Sequence, residues 1–246
     1  MNKKLTLSSE FIYVFSVILL ALAVAMVTAA NFGVSMIVAP AYVFSRKFTF
    51  FTFGQAEYVV QSAVFIAMCI AVKKFRPVYL TAYFTCLFYG AVLDLWRLLP
   101  FFNETVTPPG SQPFPMRVAL FAVGMALTSL SVAILYRSYL YPQVYDFAVK
   151  TVSRHYSLDL VTFKRCFDAG CLAAAVILVL CFFGKELSAF SLDTFIKDGF
   201  QFHGIGIATV IMTYCNGILI ERFGIAFDRR FNITPRFPKA EEYFMR

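Results

Sequence analysis

The chain has 246 residues, of which 60% are hydrophobic and 18% aromatic, and its mean hydropathy is +0.72. A soluble domain of this size has no interior large enough for so much apolar surface, whereas a lipid bilayer provides an apolar exterior. The composition therefore excludes an ordinary soluble protein. The net charge of +8 does not indicate a nucleic-acid partner, because most of the basic residues lie between or after the apolar segments, as in membrane proteins.

Six segments are long and apolar enough to cross a membrane. A helix needs about 20 apolar residues to span the hydrocarbon of a bilayer. This criterion selects residues 11–30, 52–72, 78–96, 118–136, 161–183 and 199–220. These segments are about twice the length of a barrel strand and do not alternate apolar with polar residues, so they predict an all-α polytopic membrane protein.

Two shorter segments contain a proline near their start and predict short helices. The first span continues without a charged residue as far as Ser45, which is further than one crossing needs. Asn31 interrupts this stretch, and Pro40 suits the first turn of a new helix. Residues 34–45 are therefore expected to form a half-helix that re-enters the membrane or lies in the outer interface. The chain after Pro142 is amphipathic, which is typical of an interfacial helix.

The distribution of basic residues predicts the orientation. Most Lys and Arg residues fall at the N-terminus, in residues 73–77 and 137–165, and after residue 220. Positive charge concentrates on the cytoplasmic side of membrane proteins, so both termini are predicted to be cytoplasmic. The basic, aromatic tail of residues 224–246 is expected to lie on anionic lipid.

Two short stretches resemble each other and suggest an internal duplication. FYGAVLDLW at residues 88–96 and CNGILIERF at residues 215–223 each carry a glycine followed four residues later by an acid. The alternative is a chance similarity. If the duplication is real, each repeat has three spans, an odd number, so the second must be inverted, as in many secondary transporters. We predict two inverted three-helix repeats, residues 1–103 and 118–223, joined by an outer proline-rich linker at 104–117.

Polar side chains inside the spans are the candidate binding residues of the first repeat. Glu57 and Gln61 are four residues apart and so share one face of a helix. A carboxylate within a span is costly and usually faces a cavity or a partner. The alternative is that Glu57 lies among the outer headgroups. Asn31 stands where a half-helix N-terminus would present backbone donors to an anion.

The second repeat offers a different set of polar residues. Lys164 and Asp168 are also four residues apart and can pair along a helix, although basic residues at a cytoplasmic helix end also serve as anchors. Asn216 lies within the last span. Asp94 and Glu221 have Arg97 and Arg222 close in sequence, and neutralisation by these arginines is the simpler interpretation of both acids.

Several recognisable motifs are absent from the sequence. There is no GxxxxGK[ST] phosphate loop, no HExxH and no GxSxG. The six cysteines show no CxxC spacing, and only His155 and His203 accompany them, so a zinc site is not expected. We therefore predict no enzyme activity, no catalytic residues, no metal and no cofactor.

The stretches AANFGVSMIVAPAYVF, TFGQAEYVVQ and HGIGIATVIMTYCNGILIERF resemble the bacterial YczE/YyaS/YitT-type integral membrane proteins. The resemblance covers residues 29 to 223. It implies a multi-pass protein of the bacterial cytoplasmic (inner) membrane, of a kind described as permeases or as uncharacterised proteins. It implies no ligand or catalytic residues.

Together these features predict a secondary transporter, a permease for a small polar or charged solute, coupled to an ion or a proton and working by alternating access. The predicted site consists of Glu57, Gln61, Asn31, Asp168, Lys164 and Asn216. The alternative is a non-transporting accessory membrane protein that binds a lipid or a membrane partner. Membrane lipid is expected as a further partner in either case, nucleic acid is not, and a homodimer is left open.

Overall fold

The computed structural model describes residues 5–188 and 201–245. Six of its helices are long and apolar enough to cross a membrane, which confirms the all-α polytopic prediction. They run over Ser9–Ala30, Phe53–Val72, Pro77–Arg97, Phe114–Leu135, Leu160–Glu186 and Ile207–Arg230. The sixth span differs from the prediction of 199–220. Residues 199 and 200 lie outside the described residues, residues 201–206 are not helical, and the helix continues to Arg230.

The helices are numbered here in chain order. They are α1 Ser9–Ala30, α2 Ala39–Lys47, α3 Phe53–Val72, α4 Leu80–Arg97, α5 Phe114–Leu135, α6 Val144–Tyr156, α7 Leu160–Ser188, α8 Ile207–Arg230 and α9 Pro238–Met245. A 3₁₀ turn, Pro77–Tyr79, leads into α4, and the described residues also form the short strands β1 Leu5–Ser8, β2 Gln201–Phe202, β3 Ile205–Gly206 and β4 Phe231–Thr234. The short helix α2 has Pro40 in its first turn, as predicted.

Helices α1 and α5 form the centre of the bundle and run in opposite directions. The Ser9 hydroxyl, at the start of α1, donates to the Ser138 hydroxyl just beyond the end of α5, at 3.2 Å. At the other end, the Arg117 side chain near the start of α5 donates to the carbonyl oxygen of Ala30, at 2.8 Å. Gly124 allows this approach, because a Cβ there would lie 2.8 Å from a methyl group of Val27.

Each central helix has a parallel neighbour. Helix α4 lies beside α1, with Tyr13 bonded to Thr85 and the Trp96 indole donating to the carbonyl oxygen of Ile18. Helix α8 lies beside α5 in the same manner, with contacts that begin at Ala208 and continue to the ion pair of Arg137 with Asp228 at 2.5 Å. The directions of α1 and α4 are thus opposite to those of α5 and α8.

The two short internal helices, α2 and α6, each pack against both α3 and α7. Helix α2 follows the end of α1, and α6 follows the end of α5. Because α1 and α5 are antiparallel, α2 and α6 approach α3 and α7 from opposite ends of the bundle.

Helices α3 and α4 make a close contact through glycine. A Cβ placed on Gly54 would overlap the carbonyl oxygen of Gly90, so the two backbones touch. Asp94 reinforces this contact, because it accepts hydrogen bonds from the Thr52 hydroxyl at 2.5 Å and the Gly54 amide at 2.9 Å. Neutralisation of Asp94 by Arg97 is therefore not what the structure shows. Arg97 pairs instead with Glu104, at 2.5 Å.

Both ends of the chain meet at the same end of the bundle, where β1 pairs in parallel with β4. The Glu10 carboxylate accepts the backbone amides of Arg236 and Phe237 at 3.0 and 3.1 Å. The ring of Phe244 then packs on Tyr139 and Tyr141. The tail was expected to lie on lipid, but this part of it packs against the protein.

Candidate functional site

The most enclosed polar group of the bundle lies where α3 meets the start of α6. Glu57 and Gln61 are both 0% exposed. The Gln61 amide donates to a Glu57 oxygen, Oε2, at 3.0 Å and to the side-chain oxygen of Gln143 at 3.2 Å. The Tyr145 hydroxyl donates to the same Glu57 oxygen at 3.1 Å. We call Glu57, Gln61, Gln143 and Tyr145 the carboxylate cluster.

Gln61 also caps α6. Its side-chain oxygen accepts the Val144 amide at 3.2 Å, and this amide would otherwise be one of the unpaired donors of the first turn. Gln143, at the N-cap position, makes no side-chain cap of its own. Glu57 and Gln61 therefore bind three consecutive residues at the start of α6: Gln61 donates to Gln143 and accepts from Val144, and Glu57 accepts from Tyr145.

Helix α6 starts beside the middle of α3 rather than at its end. Gln61 lies about 16 Å along α3 from Val72, at 1.5 Å per residue. From there α6 runs alongside α3 until the Tyr156 hydroxyl donates to the carbonyl oxygen of Ala71, at 2.6 Å. This differs from the expected interfacial helix. Amphipathic spacing indicates which face is polar, but it cannot give the depth at which the helix begins.

The carboxylate cluster is closed and incompletely hydrogen-bonded. Within the described residues, Glu57 Oε1 and Gln143 Nε2 have no hydrogen-bond partner. Two small cavities elsewhere in the described structure have volumes of about 10 Å³ each, room for one water at most, and neither is lined by this cluster. The burial of Glu57 rules out a position among exposed headgroups in this conformation. These two polar atoms remain available to a small molecule.

A second polar group lies on the adjoining side of α6. The Lys164 ammonium lies 2.9 Å from an Asp146 oxygen and 3.8 Å from an Asp168 oxygen. The Tyr136 hydroxyl donates to the same Asp146 oxygen at 2.6 Å. We call Tyr136, Asp146, Lys164 and Asp168 the lysine cluster. The predicted pairing of Lys164 with Asp168 is present, but Lys164 lies closer to Asp146.

The two clusters differ in their electrostatics. Burial raises the pKa of Asp146, but the charge of Lys164 and the hydrogen bond from Tyr136 outweigh burial and leave this pKa below its usual value. Asp146 is thus held ionised. Burial and the neighbouring Glu57 raise the pKa of Tyr145 well above its usual value, so this phenol remains a hydrogen-bond donor.

Adjacent residues of α6 connect the clusters. Tyr145 binds Glu57 of α3, and Asp146 binds Lys164 of α7. The Tyr145 ring also contacts the ring of Phe167 on α7, with centroids 6.5 Å apart. The first turn of α6 is therefore attached to both long helices. Three of the six predicted site residues, Glu57, Gln61 and Lys164, contact it, and a fourth, Asp168, pairs with Lys164.

Asn31 belongs to a different part of the structure. It ends α1 in a left-handed conformation, with φ of 56°, and α2 begins only at Ala39. Its carbonyl oxygen accepts from Arg117 at 2.9 Å, and its side-chain oxygen accepts from Gln201 at 2.9 Å. The expectation of a helix N-terminus at this position is wrong, because Asn31 forms the helix C-cap.

Asn216 likewise lies apart from the clusters. Its side-chain oxygen accepts from the Ser129 hydroxyl at 3.4 Å, a contact between α8 and α5. Helix α8 packs mainly against α5. Asn216 therefore contributes to helix packing rather than to the carboxylate cluster.

Sequence reasoning missed Gln143, Tyr145, Asp146 and Tyr136. A signal for three of them was present, because Gln143 follows Pro142 directly and a proline often precedes the start of a helix. Nothing in the sequence distinguished Tyr136 from the other tyrosines. No group of three or more metal-ligating residues occurs among the described residues.

The fold and the site define a six-span helical membrane protein with a polar interior around a short internal helix. The family model that matches this chain covers residues 7–224 and is the family of unknown function DUF6198, so the chain belongs to that family. Comparisons with curated proteins and with solved structures gave no match.

Proposed function

We propose that the protein is a secondary transporter for a small polar or charged solute, working by alternating access between two inverted halves. The observation that carries the proposal is the meeting of the α6 N-terminus with buried Glu57 and Gln61 midway along α3. Helices that begin within the membrane bind solutes in many transporters, because the first turn presents unpaired donors and partial positive charge.

The arrangement of the helices supports an inverted repeat. Helices α1 and α5 are antiparallel, and each has a parallel neighbour, α4 or α8. Helices α2 and α6, which follow them, both contact α3 and α7. If two such halves exchanged their conformations, a path between α3 and α7 would open first on the side of α2 and then on the side of α6.

The unpaired atoms support the solute class. Glu57 Oε1 can accept a hydrogen bond when the carboxyl group is ionised or donate one when it is protonated, and Gln143 Nε2 can donate one. A solute that carries both a donor and an acceptor, such as a small zwitterion or amide, satisfies both atoms. Because the cluster is closed, the described conformation corresponds to an occluded state, and entry requires α2 or α6 to move.

The placement in the cell is part of the proposal. Positive charge near the chain termini supports a cytoplasmic position for the end at which β1 and β4 pair. The resemblance to YczE/YyaS/YitT-type proteins supports the bacterial inner membrane.

A second candidate function is a non-transporting accessory protein that binds a lipid or a membrane partner. The closed cluster favours it, because Glu57 and Gln61 are fully buried in the described conformation. Helix α8 also exposes large apolar side chains, including Val210, Tyr214 and Ile218, which lipid or a partner helix would cover.

Uptake into proteoliposomes separates the two functions. Purified protein is tested with a panel of labelled amino acids, amides and small organic anions, with and without an imposed pH gradient. We expect at least one solute to accumulate, and Glu57→Gln to abolish its uptake. The matched control is Glu221→Gln, since Glu221 is an exposed carboxylate in a span. No flux of any solute through correctly folded protein would favour the accessory function.

A further inference from the structure

The carboxyl group of Glu57 has no compensating charge. Its two hydrogen-bond donors, the Gln61 amide and the Tyr145 phenol, are both neutral. The titratable groups that face it are Cys86 and Tyr89 on α4, Tyr145 on α6 and Cys171 on α7. All of these are neutral or acidic.

The charged residues nearby are committed elsewhere. Helix α2 also packs on α3, and its Arg46 pairs with Glu104 at 2.8 Å. On the side of α7, Lys164 pairs with Asp146 and Asp168. Among the described residues, no cationic side chain neutralises Glu57.

An ionised carboxylate in these surroundings would lose its hydration without gaining a counter-charge. Such burial costs several kcal/mol or more by general experience, and the usual outcome is that the group takes up a proton. Asp146 shows the contrast, since it has a lysine and a tyrosine as partners. The closed structure therefore fits a protonated Glu57 beside an ionised Asp146.

We propose that Glu57 is the coupling group of the transporter, and that it holds a proton when α6 is closed and releases it when α6 opens. This inference deepens the proposed function and rests on it. On release, the O–H bond of the acid breaks, the electron pair stays on the carboxylate, and the proton passes to water admitted by the movement of α6.

The contacts around Glu57 explain why its protonation and the position of α6 are linked. Water can hydrate the ionised carboxylate only if the residues covering it move. Gln143, Val144 and Tyr145 cover it, and each of them makes a hydrogen bond with Gln61 or with Glu57 itself. Ionisation therefore favours an α6 that has moved away from α3, whereas protonation favours the closed position.

Infrared difference spectroscopy tests proton binding without knowledge of the solute. The protein is placed in lipid nanodiscs, and spectra are taken as the pH is raised. We expect loss of the carbonyl stretch of a protonated carboxylic acid in the wild-type protein and in Glu221→Gln. This signal should be missing from Glu57→Gln and present but shifted in Glu57→Asp, which retains an acid and guards against misfolding of the amide variant.

Hydrogen exchange tests the link to α6 in the same samples. The rate of amide hydrogen exchange in the peptide covering residues 143–149 is divided by the rate in a peptide from α1. This ratio removes the intrinsic effect of pH on the exchange rate. We expect the protection of residues 143–149 to fall several-fold as Glu57 loses its proton, and to be independent of pH in Glu57→Gln.

The outcomes separate this inference from the transport proposal. If the carboxylic acid signal persists in Glu57→Gln, Glu57 is not the group that holds the proton. If the protection of α6 from hydrogen exchange does not change as Glu57 titrates, the proposed link is wrong, even if the protein carries a solute. If Glu57 titrates and α6 responds, but no solute crosses the membrane, the transport proposal fails and the proton switch stands.

Discussion

The contact between α3 and α4 gives a prediction whose size follows from the structure. Gly54→Ala places a methyl group where the Gly90 carbonyl oxygen lies and 2.6 Å from an Asp94 oxygen. The Gly90 oxygen belongs to the backbone and cannot rotate away from the added methyl group. To reach ordinary van der Waals distance, the two helices must separate by roughly 1 Å, which also weakens the cap that Asp94 provides.

Overpacking of this kind costs about 1–3 kcal/mol. The better helix propensity of alanine offsets at most about 1 kcal/mol of this. We therefore expect Gly54→Ala to lose about 1–2 kcal/mol, which is about a 5- to 30-fold change in the unfolding equilibrium. The assay is reversible unfolding in mixed micelles, followed by circular dichroism.

Gly217→Ala is the matched control. Gly217 occupies the position in α8 that corresponds to Gly90 in the proposed repeat, and a Cβ there would meet nothing within 4 Å. We expect this variant to be neutral or stabilised by up to about 1 kcal/mol, because alanine favours helix more than glycine. Wild-type stability for Gly54→Ala, or a larger loss for Gly217→Ala, would refute the assigned helix contacts.

Three further changes test other parts of the structure. Arg117→Lys should destabilise the protein by about 2 kcal/mol in the same assay, because lysine cannot reproduce both hydrogen bonds to the end of α1, and hydrogen bonds to charged groups contribute about 1.5–3 kcal/mol each. Tyr145→Phe should cost only about 1 kcal/mol if Glu57 is protonated, since that bond is then neutral, and a loss near 3 kcal/mol would indicate an ionised Glu57. The pKa of Asp146 is lower in the folded state than its unfolded value of about 3.9. The contribution of Asp146 to the stability of the protein is therefore fully present above the unfolded pKa and is lost as the pH falls through the folded pKa. Asp146→Asn should therefore reduce stability at pH 7 and abolish this part of the acid dependence, and an unchanged acid limb of the stability curve would contradict the pairing with Lys164.

Residue types and segment lengths were sufficient to predict the long helices. Apolar runs of about 20 residues have few alternatives in a membrane protein, and the proline at position 40 marked the start of α2. Glu57 and Gln61 were identifiable for a similar reason, because a carboxylate inside an apolar helix is costly unless it has a specific environment.

The remaining site could not be predicted, because it depends on distance across the fold. Gln61 caps a helix 83 positions further along the chain, and no local pattern encodes that contact. Asn31 was misassigned because its local sequence pattern fits two different structures. An asparagine between two helices fits the end of one as well as the start of the next, and its left-handed conformation settles the choice.

The last span shows a further limit of local patterns. Residues 201–206 were assigned to the last span because they adjoin its apolar run, but they form a hairpin of β2 and β3 that packs against the segment after α1. The Val34 amide donates to the Gly204 carbonyl oxygen at 2.8 Å, and the Ala208 amide to that of Phe32 at 2.8 Å. Hydropathy cannot distinguish such a hairpin from a helix.

The central claim is that the face of α3 carrying Glu57 opens alternately to both sides of the membrane. Val60 lies beside Glu57 on the inward side of α3, since it follows Glu57 by three residues and packs against the buried core. Val60→Cys, in a protein whose native cysteines are replaced, is treated with a membrane-impermeant maleimide from each side, with cysteines at Phe50 and Lys74 as controls of sidedness. With alternating access, we expect labelling of residue 60 from both sides of the membrane. When Glu57→Gln is added, we expect labelling from the Lys74 side to be lost. Labelling from one side only, or from neither side in a correctly folded protein, would contradict it.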